Sequence, residues 1–196
     1  ALPRDLKLSK TKLLVPQLGP CLPKTLISLQ LDTPLPLQSH SINDFLGDLP
    51  STLLVLGFTM PTACSTLSLL PLPAGLKSLS ITHLTGMQES AVKMIPPSLT
   101  EFIAPEWEAG PEVQYLPTSI RNISLSTIDP LLAIDQLPPK LMVFRYSMKS
   151  TTPQQTTEIL RRLEKFNLLH FYCNRGIEED PTSSFSIYLN DILEKL

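Results

Sequence analysis

Catalysis and recognition need particular side chains at particular spacings, and this chain offers few that fit. It has three histidines and three cysteines, Cys21, Cys64 and Cys173, with no C-x-x-C pair. His170 and Cys173 are close enough in sequence to suggest a base serving a thiol nucleophile. Three residues apart on an extended strand they project from opposite faces, so no such pair is expected and Cys173 reads as core. His40 and His83 have no partners at metal-ligand spacing. The Gly-rich phosphate loops, H-E-x-x-H and G-x-S-x-G are all absent from the sequence. No catalytic residue, cofactor or metal is therefore expected. What remains is the chemistry of recognition. Arg145 offers a planar fork for a carboxylate, and Tyr172 offers apolar area with a hydroxyl tip, with His170 nearby.

The elements that must position these side chains come from a repeated unit. LPAGLKSLSI from Leu72 has close copies in LPKTLISLQL from Leu22, LPSTLLVLGF from Leu49, IPPSLTEFIA from Ile95, LPTSIRNISL from Leu116 and LPPKLMVFRY from Leu137. The copies start 21 to 27 residues apart. Each has an apolar residue, a proline, two variable positions, then L-x-x-L-x-L or its equivalent. Leu79 and Ile81 alternate with Ser78 and Ser80, the pattern of a half-buried strand. Pro73 lies ahead of the strand, where its fixed φ stiffens a corner without breaking a ladder. Six prolines at one place predict one repeated backbone shape. Units of this length bury their apolar sides by stacking, which predicts one parallel sheet with a continuous core behind it.

Stacking sorts the outward strand residues into columns. Gln30, Gly57, Ser80, Ile103, Ser124, Arg145 and His170 form the middle one. Ser28, Val55, Ser78, Glu101, Asn122, Val143 and Leu168 precede it, and Asp32, Thr59, Thr82, Pro105, Ser126, Ser147 and Tyr172 follow. The face is small, hydroxylated and nearly neutral in its middle. Ser80, Glu101, Asn122, Ser124, Arg145, His170 and Tyr172 are the candidate partner-binding residues, with Arg145 and His170 side by side on successive strands. Asn122-Ile123-Ser124 also spells a glycosylation sequon, a triplet common by chance. Trp107, between Glu106 and Glu108, is either a binding anchor or a plug of the turn core.

Residues 1–21 read as a degenerate first turn, with Leu2-Pro3 echoing the motif and Leu6 and Leu8 following. Ser41–Leu46, Met87–Met94 and Pro130–Gln136 suit short helical returns. Cys64–Leu70 and Pro105–Tyr115 suit extended or 3₁₀ ones. Thr152-Pro153-Gln154-Gln155 is a capping box that opens a helix, with Glu158 and Arg162 as an i,i+4 pair. Phe166-x-x-Leu169-x-Phe171 repeats the strand spacing without its Leu-Pro. After an acidic loop, Phe185, Leu189, Ile192, Leu193 and Leu196 predict an amphipathic helix closing the open end of the core.

Composition bounds the remaining possibilities. Charged residues are 17% of 196 and the net charge is −2, with no basic stripe, so nucleic acid is a poor partner. No apolar run approaches the ~18–20 residues of a membrane span. The chain starts at Ala1 and reads as a processed or excised piece. The sparse, odd cysteines suit a reducing, cytoplasmic setting.

The copies resemble leucine-rich repeats, and the L-P-x-x-L-x-x-L-x-L form is similar to that of bacterial secreted-effector and FNIP-type repeats. The column that carries asparagine in such repeats reads Pro34, Pro61, Leu84, Trp107, Ile128 and Lys149 here. The resemblance implies an α/β, β-rich leucine-rich repeat solenoid or horseshoe with one parallel β-sheet, short irregular or helical returns and a C-terminal helical cap. It forms a single domain over 1–196, with a terminal repeat or cap at 1–21, repeats at 22–174 and a cap at 175–196. It also implies a non-catalytic scaffold that binds a protein partner on the concave sheet face. The alternatives are the substrate-recognition domain of a larger enzyme, such as a ubiquitin ligase, or an oligomeric structural component.

Overall fold

The structure, a computed structural model, describes residues 4–8, 21–34, 39–60, 66–67, 71–125, 134–148, 153–166, 168, 170–175 and 186–187. The six proline corners are one turn repeated. In each, the proline carbonyl accepts a hydrogen bond from the N–H three residues on, at 2.9–3.1 Å, from Pro23–Leu26 to Pro138–Leu141. The leucine or isoleucine that closes each turn is fully buried. The next residue's carbonyl then accepts two N–H groups from the following repeat. Ile27 O takes those of Leu54 and Val55, Leu54 O those of Lys77 and Ser78, and Lys77 O those of Thr100 and Glu101. Each corner thus sets the register of the next strand before that strand begins.

The strands are β1 (Asp5–Leu8), β2 (Ser28–Pro34), β3 (Val55–Thr59), β4 (Thr66–Leu67), β5 (Ser78–Thr82), β6 (Gly86–Met87), β7 (Glu101–Ala104), β8 (Asn122–Leu125), β9 (Val143–Met148), β10 (His170–Arg175) and β11 (Ser186–Ile187). Nine of them make one sheet in chain order, β1-β2-β3-β5-β7-β8-β9-β10-β11. All its pairs are parallel except the last, β10 with β11. β4 and β6 pair separately, in parallel, within the returns. The expected parallel sheet is present, and the first turn joins it through β1, Leu6 opposite Leu29 and Leu8 opposite Leu31.

Helices α1 (Ser39–Gly47), α2 (Glu89–Lys93) and α3 (Pro153–Leu163) lie in the returns, with 3₁₀ turns at Pro111–Tyr115 and Ile134–Gln136. Their apolar residues Ile42, Phe45, Leu46, Ala91, Val92, Val113, Ile159 and Leu163 join the strand residues Leu29, Leu56, Leu79, Phe102, Ile123 and Phe144 in one core cluster. The core therefore lies between the sheet and the returns. Trp107 is fully buried in it and meets Phe102 edge-on, with ring centroids 5.6 Å apart. Its indole N–H has no hydrogen-bond partner among the described residues. Trp107 is a plug of the core and not a surface anchor.

Two expectations are corrected. In β10, Tyr172 and not His170 lies opposite Arg145, and His170 lies opposite Val143. Phe166 closes its turn with a bond from its N–H to the Leu163 carbonyl, as Leu141 does on Pro138. Val143 begins its strand two residues after Leu141, whereas His170 begins β10 four residues after Phe166. Those two extra residues shift every column position by two. Leu168, expected on the open face, instead packs partly buried against the core. The second correction concerns the helix expected from Phe185. Ser186 and Ile187 form a strand antiparallel to β10, opposite Tyr172 and Phe171; residues 188–196 lie outside the described ones. The first residue of the capping box, Thr152, and the acidic loop also lie outside them.

Candidate functional site

The sheet's outward columns are where the chain gathers polar side chains. Ser78, Glu101 and Asn122 hold one register position on β5, β7 and β8. Neighbouring strands in a sheet stand ~4.8 Å apart, so side chains in one column can touch. They do. Ser78 donates its hydroxyl to Glu101 Oε2 at 2.6 Å, and Asn122 donates Nδ2–H to Glu101 Oε1 at 2.6 Å. Arg145 on β9, one column over, reaches back and donates from Nη1 to Asn122 Oδ1 at 3.1 Å. A relay of four side chains thus crosses four strands. Glu101 is held on both oxygens, and Asn122 is polarised between a carboxylate and a guanidinium. Bonds to charged groups are the stronger kind, so the relay fixes its members more firmly than a row of hydroxyls would.

The sequon residue Asn122 lies inside a strand with its amide nitrogen committed to Glu101. A glycan there would have to displace that bond.

The other candidates fall into two groups. Ser80 is half-buried between Gly57 and Ile103 in register. Ser124 holds the expected register between Ile103 and Arg145 but is only 9% exposed, so it lies beneath its neighbours and offers a partner little. Arg145 and His170 are exposed. Tyr172 shares Arg145's register position on the neighbouring strand.

Toward the first strands the face closes on itself. The Gln30 amide lies over Gly57, where a Cβ would meet its Oε1 at 1.8 Å. Thr82 donates to Thr59 at 2.8 Å, and Lys7 pairs with Asp32 at 3.3 Å.

Two features were not anticipated from sequence. The second variable position of the turn carries a hydroxyl in several copies, and it binds the preceding corner. Thr52 donates to the carbonyls of Lys24 and Leu26 at 2.7 and 2.8 Å, and Ser98 to those of Ala74 and Leu76, both at 2.7 Å. Ser119 donates to the Leu99 carbonyl at 2.6 Å. The recurrence of Thr25, Thr52, Ser98 and Ser119 was the signal. These hydroxyls tie corner to corner, while Leu84 and Trp107 are buried in the core.

The second feature is the clustering of ion pairs on the return side. Lys93 pairs with Glu89 and lies 4.1 Å from the Tyr115 ring centroid. The Lys93 ammonium, and next the Tyr115 hydroxyl, hold the Glu89 carboxyl below its usual range. Lys165 and Arg162 flank Asp135, whose carboxyl is likewise lowered, first by Lys165. Arg161 and then Arg162 pull Glu158 down to about 2. His83, in the left-handed region at φ 58°, pairs with Glu106 at 2.8 Å.

Among the described residues no group of three or more His, Cys, Asp or Glu could hold a metal ion, and no helix is long and apolar enough to cross a membrane. No family model, curated protein or solved structure matches the chain.

Proposed function

We propose that the chain is a leucine-rich-repeat-type solenoid that serves as a non-catalytic module, binding a protein partner on the open face of its sheet in a cytoplasmic setting. The observation that carries this reading is the relay from Ser78 through Glu101 and Asn122 to Arg145. Interface energy concentrates in a few arginine and aromatic residues held in fixed positions, because ordering a long side chain on binding costs free energy. Arg145 is exposed yet already held, and Tyr172 occupies the same register position on the adjacent strand. A carboxylate or a backbone carbonyl on the partner is the complementary group.

The test is capture of partners on immobilised protein, compared between wild type, Arg145→Ala and Tyr115→Ala. The second variant alters the exposed return side. The proposal expects Arg145→Ala to weaken the captured partner by about 1–2 kcal/mol with an unchanged melting temperature, and Tyr115→Ala to be neutral. Loss with Tyr115→Ala and none with Arg145→Ala would place the interface on the returns.

A further inference from the structure

Charge is unevenly distributed over this molecule, and the unevenness follows the repeat. The ion pairs of the return side join Glu89, Asp135 and Glu158 to nearby cations. At the opposite edge lies the rim where the chain enters the strands, made of the proline turns and the residue before each strand. Its charged side chains there are Lys24, Lys77, Arg121 and Lys140, all exposed. None of the four makes an ion pair with a described acidic residue. Arg4 adds a fifth exposed cation at the same level, since its carbonyl accepts the N–H groups of Ile27 and Ser28 as Lys77 O does for Thr100 and Glu101. Two strand carboxylates stand at the next register position: Asp5, exposed beside Arg4 on β1, and Glu101, which is committed to Ser78 and Asn122. A chain of net charge −2 thus carries an edge on which, from Lys77 to Lys140, the exposed cations make no ion pair with a described acidic residue.

The register gives this edge a pattern. Arg4, Ile27, Leu54, Lys77, Thr100, Arg121 and Met142 occupy one equivalent position in successive repeats, as the ladder of N–H groups on their carbonyls shows. Lys77 and Arg121 are two strands apart, about 10 Å, which an extended segment spans in about three residues. Next to Lys77 stands Leu54, 38% exposed, flanked by half-buried Ile27.

We propose that the strand-entry rim docks an extended, acidic segment of a partner protein, with carboxylates on Lys77 and Arg121 and apolar residues over Leu54 and Ile27. This rests on the reading of the chain as a protein-binding module and names the partner's chemistry. The interleaved apolar residues and wide spacing of the cations argue against an anionic bilayer, for which basic residues gather in clusters of about four to eight.

The experiment uses the full chain and a fluorescent extended peptide with two carboxylates three residues apart and a pair of leucines just beyond one of them, matching the order Arg121, Lys77, Leu54, Ile27 along the rim. Its glutamine counterpart, phosphatidylserine vesicles and a single-stranded oligonucleotide are run alongside. The acidic peptide is expected to bind with an affinity that falls as salt rises, and the glutamine version to bind far more weakly. Lys77→Gln combined with Arg121→Gln should weaken it by about fivefold or more, as two exposed charge contacts would. Leu54→Ser should weaken it as well. Equal binding by the double variant, no peptide binding, or binding of vesicles or oligonucleotide in preference to peptide would overturn the proposal. So would self-association of the chain that the double variant abolishes, since the rim would then be filled by a second copy. If capture fails with Arg145→Ala while the rim variants are neutral in both assays, the sheet-face reading stands and the rim proposal falls.

Discussion

The hydroxyls at three of the corners illustrate how single residues hold this fold. Thr52 and Ser98 each donate to two carbonyls of the preceding corner, groups that would otherwise look to water. In the copy between them the same position is Gly75, whose φ is not positive, so nothing in its backbone demands glycine. A Cβ added there would stand 3.8 Å from the Ser51 carbonyl oxygen and 4.0 Å from Leu54 Cδ2, ordinary contact distances. Gly75→Ser should therefore reach the Ser51 and Leu53 carbonyls and stabilise the protein by about 1–2 kcal/mol, part from the bonds and part from a less free unfolded chain. Gly75→Ala isolates the second part, at under about 1 kcal/mol. Urea titration of both variants decides the matter: a serine no better than alanine means the hydroxyl does not bridge. This position was open to reading from the hydroxyls at 25, 52, 98 and 119. It was missed because a Ser or Thr in a turn is unremarkable until its acceptor in the neighbouring repeat is known.

At the scale of elements, the strands preceded by Leu-Pro were legible and the one without it was only half so. A proline turn and a buried leucine fix how many residues separate corner from strand, so Ser28, Val55, Ser78, Glu101, Asn122 and Val143 fall in one column as the spacing requires. Phe166 closes a similar turn, but two further residues precede β10, and apolar spacing alone could not count them. The Ser78–Glu101–Asn122 column was readable as a column. That its members bond to one another, and that Arg145 joins them diagonally, depends on side-chain rotamers that no spacing encodes.

The orientation of the central strand is open to direct test. Leu79 is fully buried and Ser80 is half-exposed on the other face. Leu79→Ala should cost about 2–5 kcal/mol, and Ser80→Ala under about 0.5 kcal/mol. Similar losses in denaturant melts would mean that the faces are not distinguished in solution, since a slip of one residue exchanges them.

Across the whole molecule, strand order in the main sheet equals chain order. The hydrogen bonds of a sheet run across its strands. Here they run along the line from the first strand to the last, which is the direction in which tension on the two ends of the chain would act. Bonds loaded along their own axis at an exposed edge give way a row at a time, as in peeling, where strands sheared against each other must yield together. Held by residues near Asp5 and Arg175 in an optical trap, the protein should lengthen in a series of small, similar steps at low force. Each released unit of ~23 residues adds about 75 Å of extended chain after subtracting its ~4.8 Å of sheet width. A single abrupt rupture at high force would contradict this picture. The chain-order sheet thus makes the protein a compliant element under load, able to pay out length progressively and to rewind from whichever strands remain paired.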